Sequence, residues 1–380
     1  MKEGNVGICT TPTASECIIP IVAWPESRCR IEDRENDEMA RTKPPRSSNH
    51  ATAILAADIH LRETAPVCRT DDFRVAMDRK LSAIRDLQSD NGECPVYVAG
   101  DVFDHWKPSP ALLRWAIHRI SGWIVIPGQH DLPQHSLSLY EKSGLGVLEA
   151  AGCIEVLRNE DVLPVCWNSG AEIIGYPWGA DFTFLGRYEL DPDIKSVALV
   201  HHLVYSTHPI YPGAEAVGNT AATMLRKMKG FDLVVTGDNH QTFVYATGNG
   251  QKLWVDPEED PKTAFAMKER FPDKPGYRLL VNPGSIMRTT ARQANHEPCV
   301  FLWSADDNTV ERVVLPHEKG VVSREHIEAA EERDDRIEAF ISRMSDDVEI
   351  GLDFRHNLRT YMELNDVSKE VQSIVWSTVE

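Results

Sequence analysis

Five short segments of this 380-residue chain each end an apolar, β-forming run on residues that can bind a cation or move a proton. They are Asp58-Ile59-His60, Gly100-Asp101-Val102-Phe103-Asp104, Gly128-Gln129-His130-Asp131, His201-His202 and Gly237-Asp238-Asn239-His240. Side chains two apart on an extended segment face the same side, so Asp58 and His60 can serve one ion. Asp101 follows a glycine, which lets the backbone turn sharply and approach an ion. Its two carboxylate oxygens can bridge two cations. A single such residue at a strand end is an ordinary cap, whereas five in succession point to one metal centre.

A centre of this kind needs strands whose carboxyl ends lie side by side, because ligands of open α/β sheets collect at that edge. The runs Ile54–Ala57, Val96–Ala99, Ile124–Ile126, Val197–Val200 and Leu233–Thr236 are the strands that deliver the five segments. Between the first two, Phe73, Met77, Leu81, Ile84 and Leu87 recur at helical spacing over 72–88, which predicts an amphipathic crossover helix. Ser109-Pro110 opens a second helix, with a Ser cap and Pro at the first helical position. A short helix is expected between Leu137 and Ala150 and another near Thr220–Lys229. This β-α-β-α-β order implies parallel strands covered by helices.

Further on, alternating stretches at Thr242–Tyr245, Lys252–Val255, Tyr277–Val281 and Cys299–Trp303 read as a second, mainly antiparallel sheet. The insertion 256–275, dense in proline and charge, reads as a surface excursion. Ser323 is placed to cap a helix over Arg324–Met344, whose stripe of Ile337, Phe340, Ile341 and Met344 could dock a partner, and a last helix is expected over Leu358–Val375. The expected organisation is a flexible leader at 1–50, an α/β domain at 51–305 built from two packed mixed sheets flanked by helices, and an acidic helical region at 306–380.

A net charge of -18 argues against a protein that coats nucleic acid through bulk charge. It leaves room for a nuclease, in which metal ions and a few local cations hold the phosphates. Eight cysteines without a C-x-x-C pair give neither a zinc knuckle nor a disulfide framework, so a reduced, cytoplasmic protein is expected. No apolar run is long enough for a membrane span.

In order and spacing, the five segments resemble the D-x-H, G-D-x-x-D, G-N-H-D, strand-end His and G-H-x-H motifs of the calcineurin-like metallophosphoesterases, over roughly Thr52 to Trp303. The continuation Phe103-Asp104-His105-Trp106-Lys107-Pro108-Ser109-Pro110, and Asn282-Pro283-Gly284-Ser285 followed by Arg288, are similar to the SbcD-type double-strand-break repair nucleases. The resemblance implies two divalent ions, one on Asp58, His60, Asp101 and His240, the other on Asp101, Gln129, His201 and Asp238. Gln129 stands where the family has Asn, and Asp238 where it has the first His of G-H-x-H. Whether Asp238 or His202 completes the second position is left open by the residues.

A shell of carboxylate, imidazole and amide oxygen suits Mn²⁺ first and Mg²⁺ next. Two such ions would acidify a water between them and polarise a phosphoryl group. The resemblance further makes His130 the general acid, with Asp131 as its orienting partner, and Arg288 a phosphate contact. Asp104 is expected as a hydrogen-bond acceptor behind the ligands. His105, His135 and His208 read equally as loop histidines and as substrate contacts, His202 is a further candidate substrate contact, and Trp106 and Trp178 read as packing.

A DNA exo- or endonuclease of the SbcD type, working with an SbcC-type coiled-coil ATPase and able to form a homodimer, is what the narrower resemblance implies. A phosphatase or small-molecule phosphodiesterase shares the same motifs. A scaffold that has lost catalysis is the reading suggested by Gln129 and Asp238, and retention of His130 and Asp131 argues against it.

Overall fold

The computed structural model describes residues 50–158, 162–163, 171–180, 194–209, 213–248, 251–255, 277–347 and 354–379. The first sheet contains β1 (Ala53–Ala56), β2 (Val96–Val98), β3 (Ile124–Val125) and β4 (Glu155–Val156), all parallel, and a hairpin of β14 (Cys299–Ser304) and β15 (Thr309–Val314) that adds antiparallel to β1. The second contains β5 (Val162–Leu163), β6 (Ala171–Tyr176), β7 (Lys195–His201), β10 (Leu233–Gly237), β11 (Phe243–Gly248), β12 (Gln251–Val255) and β13 (Arg278–Asn282), in the order β12-β11-β13-β10-β7-β6-β5. β8 (Val204–Tyr205) and β9 (Asn219–Thr220) pair separately.

Alternation along the strands explains how the layers stack. Ala53, Leu55, Tyr97 and Ile124 of the first sheet join Ile173, Val197, Leu199, Leu233, Val235 and Leu279 of the second in one buried cluster between the sheets. The intervening residues Ile54, Ala56, Val96 and Val98 turn outward onto α1 (Phe73–Asp90) and α2 (Pro110–Ile120). On the far side, Ile174, Ala198, Val200 and Val234 meet α4 (Ala221–Lys227). With both faces covered, these strands are apolar throughout. The fold is α/β, two mixed sheets packed face to face and flanked by helices, and α3 (Gly144–Ala150) completes the helices around the first sheet.

Local signals place the helices. Asp72 caps α1 through Val75 N at 3.0 Å, Ser109 caps α2 through Leu112 N at 3.1 Å, and Thr220 caps α4 through Thr223 N at 3.2 Å. The four late strands divide differently from the expected second sheet. β11, β12 and β13 extend the sheet of β7 and β10, whereas β14 leaves them to pair with β1. Antiparallel alternation fits either sheet edge, and only the paired register, Ala53 opposite Trp303, decides between them.

The β14–β15 hairpin also spans the boundary expected near residue 305, so the sheet continues to Val314. Among the described residues three helices follow: α5 (Glu325–Asp347), α6 (Phe354–Leu364) and α7 (Lys369–Val379). The last two replace the single helix expected over Leu358–Val375, with Asp366 in a left-handed turn at φ 46° between them. Arg359 of α6 lies over the Trp376 ring of α7. Ile337 is half exposed on α5, and the side chains of Phe340, Ile341 and Met344 lie outside the described residues, as do the leader at 1–49 and the insertion at 256–275. Among the described residues no helix is long and apolar enough to cross a membrane.

Candidate metal centre

The five segments meet at the carboxyl ends of β1, β2, β3, β7 and β10. Leaving each strand toward one point requires abrupt turns, and Asp58, His60, Asp101 and Asp238 all have left-handed φ, between 49° and 82°. Non-glycine residues adopt this region at a cost of order 1–3 kcal/mol, which the surrounding contacts must offset. Glycines let the segments approach. A Cβ on Gly128 would overlap the Asp101 carboxylate, and one on Gly100 the His201 ring.

Two sets of donor atoms converge: Asp58, His60 and His240 in one, and Asp58, Asp101 and His201 in the other. The Nε2 atoms of His60 and His240 lie 3.1 Å apart. Asp58 and Asp101 are completely buried, and one oxygen of each, Oδ2, lacks a hydrogen-bond partner within the protein. Buried carboxylates left in that condition are costly unless a cation completes them. The electrostatics agree. Burial raises Asp58 well above the ordinary carboxylate range, and the neighbouring Asp101 charge adds to it. Burial also pushes His60 down to about 3, with His240 contributing. At His201 burial acts downward, but Asp101 and Asp58 overrule it and raise the imidazole to about 10. His201 reciprocates by holding Asp101 below its ordinary range against the effect of burial. These residues fit divalent cations in donor type, burial and unmet valence.

Behind the donors, several groups fix orientation. His201 Nδ1 donates to the Ala99 carbonyl at 2.7 Å, which directs Nε2 inward to within 2.5 Å of Gln129 Oε1. Gln129 Nε2 donates to Asp238 Oδ1 at 2.6 Å, and Asp238 N donates to Asp58 Oδ1 at 3.0 Å. His202 is half buried beside the centre, its Nε2 2.6 Å from Asn219 Nδ2. His130 is exposed at the mouth, its ring centroid 5.1 Å from that of His60, and its Nδ1 meets the Asp104 carbonyl oxygen at 3.1 Å. The Asp104 carboxylate pairs with Arg62 at 3.1 Å and stands 3.8 Å from His60 Nδ1.

Two expected roles are corrected. Asp131 does not orient His130: its buried carboxylate accepts from Phe103 N at 2.8 Å, Gly128 N at 3.0 Å and Val102 N at 3.1 Å, tying two of the loops together. Burial, reinforced by Asp101, raises it to about 7. Arg288 does not face a phosphate. It is buried, with its guanidinium on the carbonyls of Ala294 and Glu318. His105, His135 and His208 are exposed, and His105 stacks near Trp106. Trp178 packs on the helix-side core with its edge toward His201.

The sequence marks Asn282–Ser285 only as a motif continuation and does not reveal what the segment holds. Asn282 donates to the carbonyls of Asn239 at 2.7 Å and Gln241 at 2.6 Å, and Ser285 N donates to the His240 carbonyl at 3.2 Å. The Asn282–Ser285 stretch therefore clamps the loop that carries Asp238 and His240. A strand-end Asn before Pro-Gly was the available signal.

Residues 52–242, half of the chain, match the calcineurin-like phosphoesterase family, and the chain belongs to that family. No curated protein matches it. Among solved structures, a metallophosphoesterase from Sphaerobacter thermophilus is similar at 12% identity, covering 70% of this chain and 89% of that one with a TM-score of 0.34. The nuclease MPE of Pseudomonas putida is similar at 15% identity over 41% of this chain and 64% of that one, with a TM-score of 0.22. A protein of unknown function, AQ665 from Aquifex aeolicus, is similar at 16% identity over 50% of this chain and 78% of that one, with a TM-score of 0.25.

Proposed function

We propose that this phosphoesterase is a two-metal phosphodiesterase acting on DNA, an exo- or endonuclease of the SbcD type serving repair, recombination or replication. The observation that carries the reading is the pairing of a buried, cation-demanding donor set with one exposed imidazole at its mouth, His130. The motif continuations Phe103–Pro110 and Asn282–Ser285 supply the narrower resemblance to nucleases.

Asp58, His60, Asp101, Gln129, His201 and His240 would hold the ions, Mn²⁺ first and Mg²⁺ next. When bound, such ions supply an acidified water and charge stabilisation for in-line displacement at phosphorus. The chain's own contribution is the proton. A carbonyl oxygen only accepts, so the Asp104 contact keeps a hydrogen on His130 Nδ1; the imidazolium form would release its Nε2 proton to the departing oxygen and be left as the neutral Nδ1–H imidazole. A coiled-coil ATPase of the SbcC type, a homodimeric assembly and a cytoplasmic location belong to the same proposal.

The test is cleavage of end-labelled linear double- and single-stranded DNA with Mn²⁺, Mg²⁺ or chelator. Metal-dependent cleavage is expected. Turnover of a phosphomonoester without DNA cleavage would move the substrate assignment to a phosphatase, and no turnover of either despite bound ions would favour a scaffold.

A further inference from the structure

The two positions at which the chain departs from the motif pattern touch each other, and their contact has a direction. Gln129 and Asp238, 109 residues apart, are joined by a bond in which the carboxamide nitrogen donates and the carboxylate accepts at 2.6 Å. A carboxamide has one donor end and one acceptor end, and only the oxygen can bind a cation. A carboxylate cannot donate. Asp238 therefore fixes the Gln129 amide in the one orientation that turns Oε1 inward. That oxygen meets His201 Nε2 at 2.5 Å, and His201 is itself turned by the Ala99 carbonyl so that Nε2 points inward. With Nδ1 committed to Ala99 and the Gln129 nitrogen committed to Asp238, Nε2 and Oε1 are the atoms these two side chains have left to turn toward the centre.

Asp238 itself belongs to neither converging donor set among the described residues. Its backbone N is bonded to Asp58 Oδ1 at 3.0 Å with φ at 82°, and its own Oδ1 is occupied by the Gln129 amide at 2.6 Å. We propose that Asp238 is a positioning residue, holding the Gln129 carboxamide oxygen toward the second cation through a hydrogen bond, rather than a ligand of that cation. This rests on the reading of the centre as one that takes two ions. It places the third carboxylate behind the amide, where its charge still attracts the ion while the bond to the ion is neutral.

The experiment is a double-mutant cycle read by Mn²⁺ binding to the full chain, with calorimetry and the electron paramagnetic resonance of bound Mn²⁺ as readouts and no DNA present. The wild type is expected to bind two ions. Asp238→Ala should weaken the second about 10–100-fold and leave the first as an internal control, the usual cost of losing a partner that orients a ligand. Asp238→Asn, which keeps an acceptor oxygen for Gln129, should retain most of the affinity. Asp238→Ala added to Gln129→Ala should weaken binding no further than Gln129→Ala alone, because the residue acts through the amide.

Losses that add in the double variant would make Asp238 a ligand and overturn the proposal. So would Asp238→Asn binding as weakly as Asp238→Ala, or a wild type that takes a single ion. Should Asp238→Ala fail to fold, Asp238→Ser and Asp238→Asn carry the same comparison with and without Gln129→Ala. Absence of DNA cleavage alongside the expected cycle would sink the nuclease reading and leave this role standing.

Discussion

The backbone carbonyl of Asp104 faces Nδ1 of His130 at 3.1 Å, so the imidazole at the mouth of the centre is oriented by main chain rather than by a carboxylate. Replacing this imidazole removes no converging donor, because only the backbone N of His130 touches Asp101, at 2.9 Å. His130→Ala should lower phosphodiester turnover by about 10²–10⁴-fold while calorimetric Mn²⁺ binding stays at the wild-type level. Turnover unchanged within error would remove His130 from the proton-transfer role.

Asp131 serves the architecture beneath that imidazole. Truncation to Ala strands the buried amides of Val102, Phe103 and Gly128, and each unsatisfied donor costs on the order of 1–3 kcal/mol. Urea denaturation of Asp131→Ala should register a loss of at least about 3 kcal/mol, accompanied by weaker Mn²⁺ binding, since these amides frame the Asp101 loop. A defect confined to turnover in a protein of normal stability would instead assign Asp131 to the chemistry.

At the other end of β1 from Asp58, Asn308 links the two sheets. From the β14–β15 turn it donates to the carbonyls of Asp232 at 3.0 Å and Tyr277 at 2.9 Å, and it accepts from Trp303 Nε1 at 2.9 Å. Its φ of 51° is one that Asn tolerates better than most residues. Asn308→Ala should destabilise the protein by about 3 kcal/mol and leave Mn²⁺ affinity unchanged, because the link lies away from the donor atoms. Melting curves and calorimetry on the same samples check both halves, and a change in Mn²⁺ affinity would contradict the separation.

His296 gives the stability a pH dependence of known sign. Burial, with Arg312 adding, pushes it down to about 4, although its bond to the Ser285 carbonyl at 2.7 Å acts the other way. The folded state thus refuses a proton that the unfolded chain accepts near 6.5. Stability from this group is full above about 6.5 and is lost as pH falls toward 4, by up to about 3 kcal/mol. His296→Gln, which can still donate to Ser285, should flatten that part of the urea-midpoint profile in chelator. A profile as steep as that of the wild type would place the proton uptake elsewhere.

The sequence alone determined what is local. Apolar runs marked the site-bearing strands and alternation the later ones, helical spacing marked α1, and Asp72, Ser109 and Thr220 marked the helix starts, since each signal lies within a few residues of its effect. It also determined that Asp58, His60, Asp101, His201 and His240 end strands, because their types are written at the ends of apolar runs.

What only the tertiary structure decided is which atom meets which across long separations. Asp131 turned to three amides instead of His130, Arg288 to two carbonyls instead of a phosphate, and β14 to β1 instead of the preceding strand β13. The Asn282 clamp on the His240 loop and the Gln129 contact with Asp238 join segments 41 to 109 residues apart. No periodicity or spacing encodes such pairs. They follow from the register of packed strands, which brings distant backbone groups together and satisfies each buried donor with the acceptor that packing places beside it.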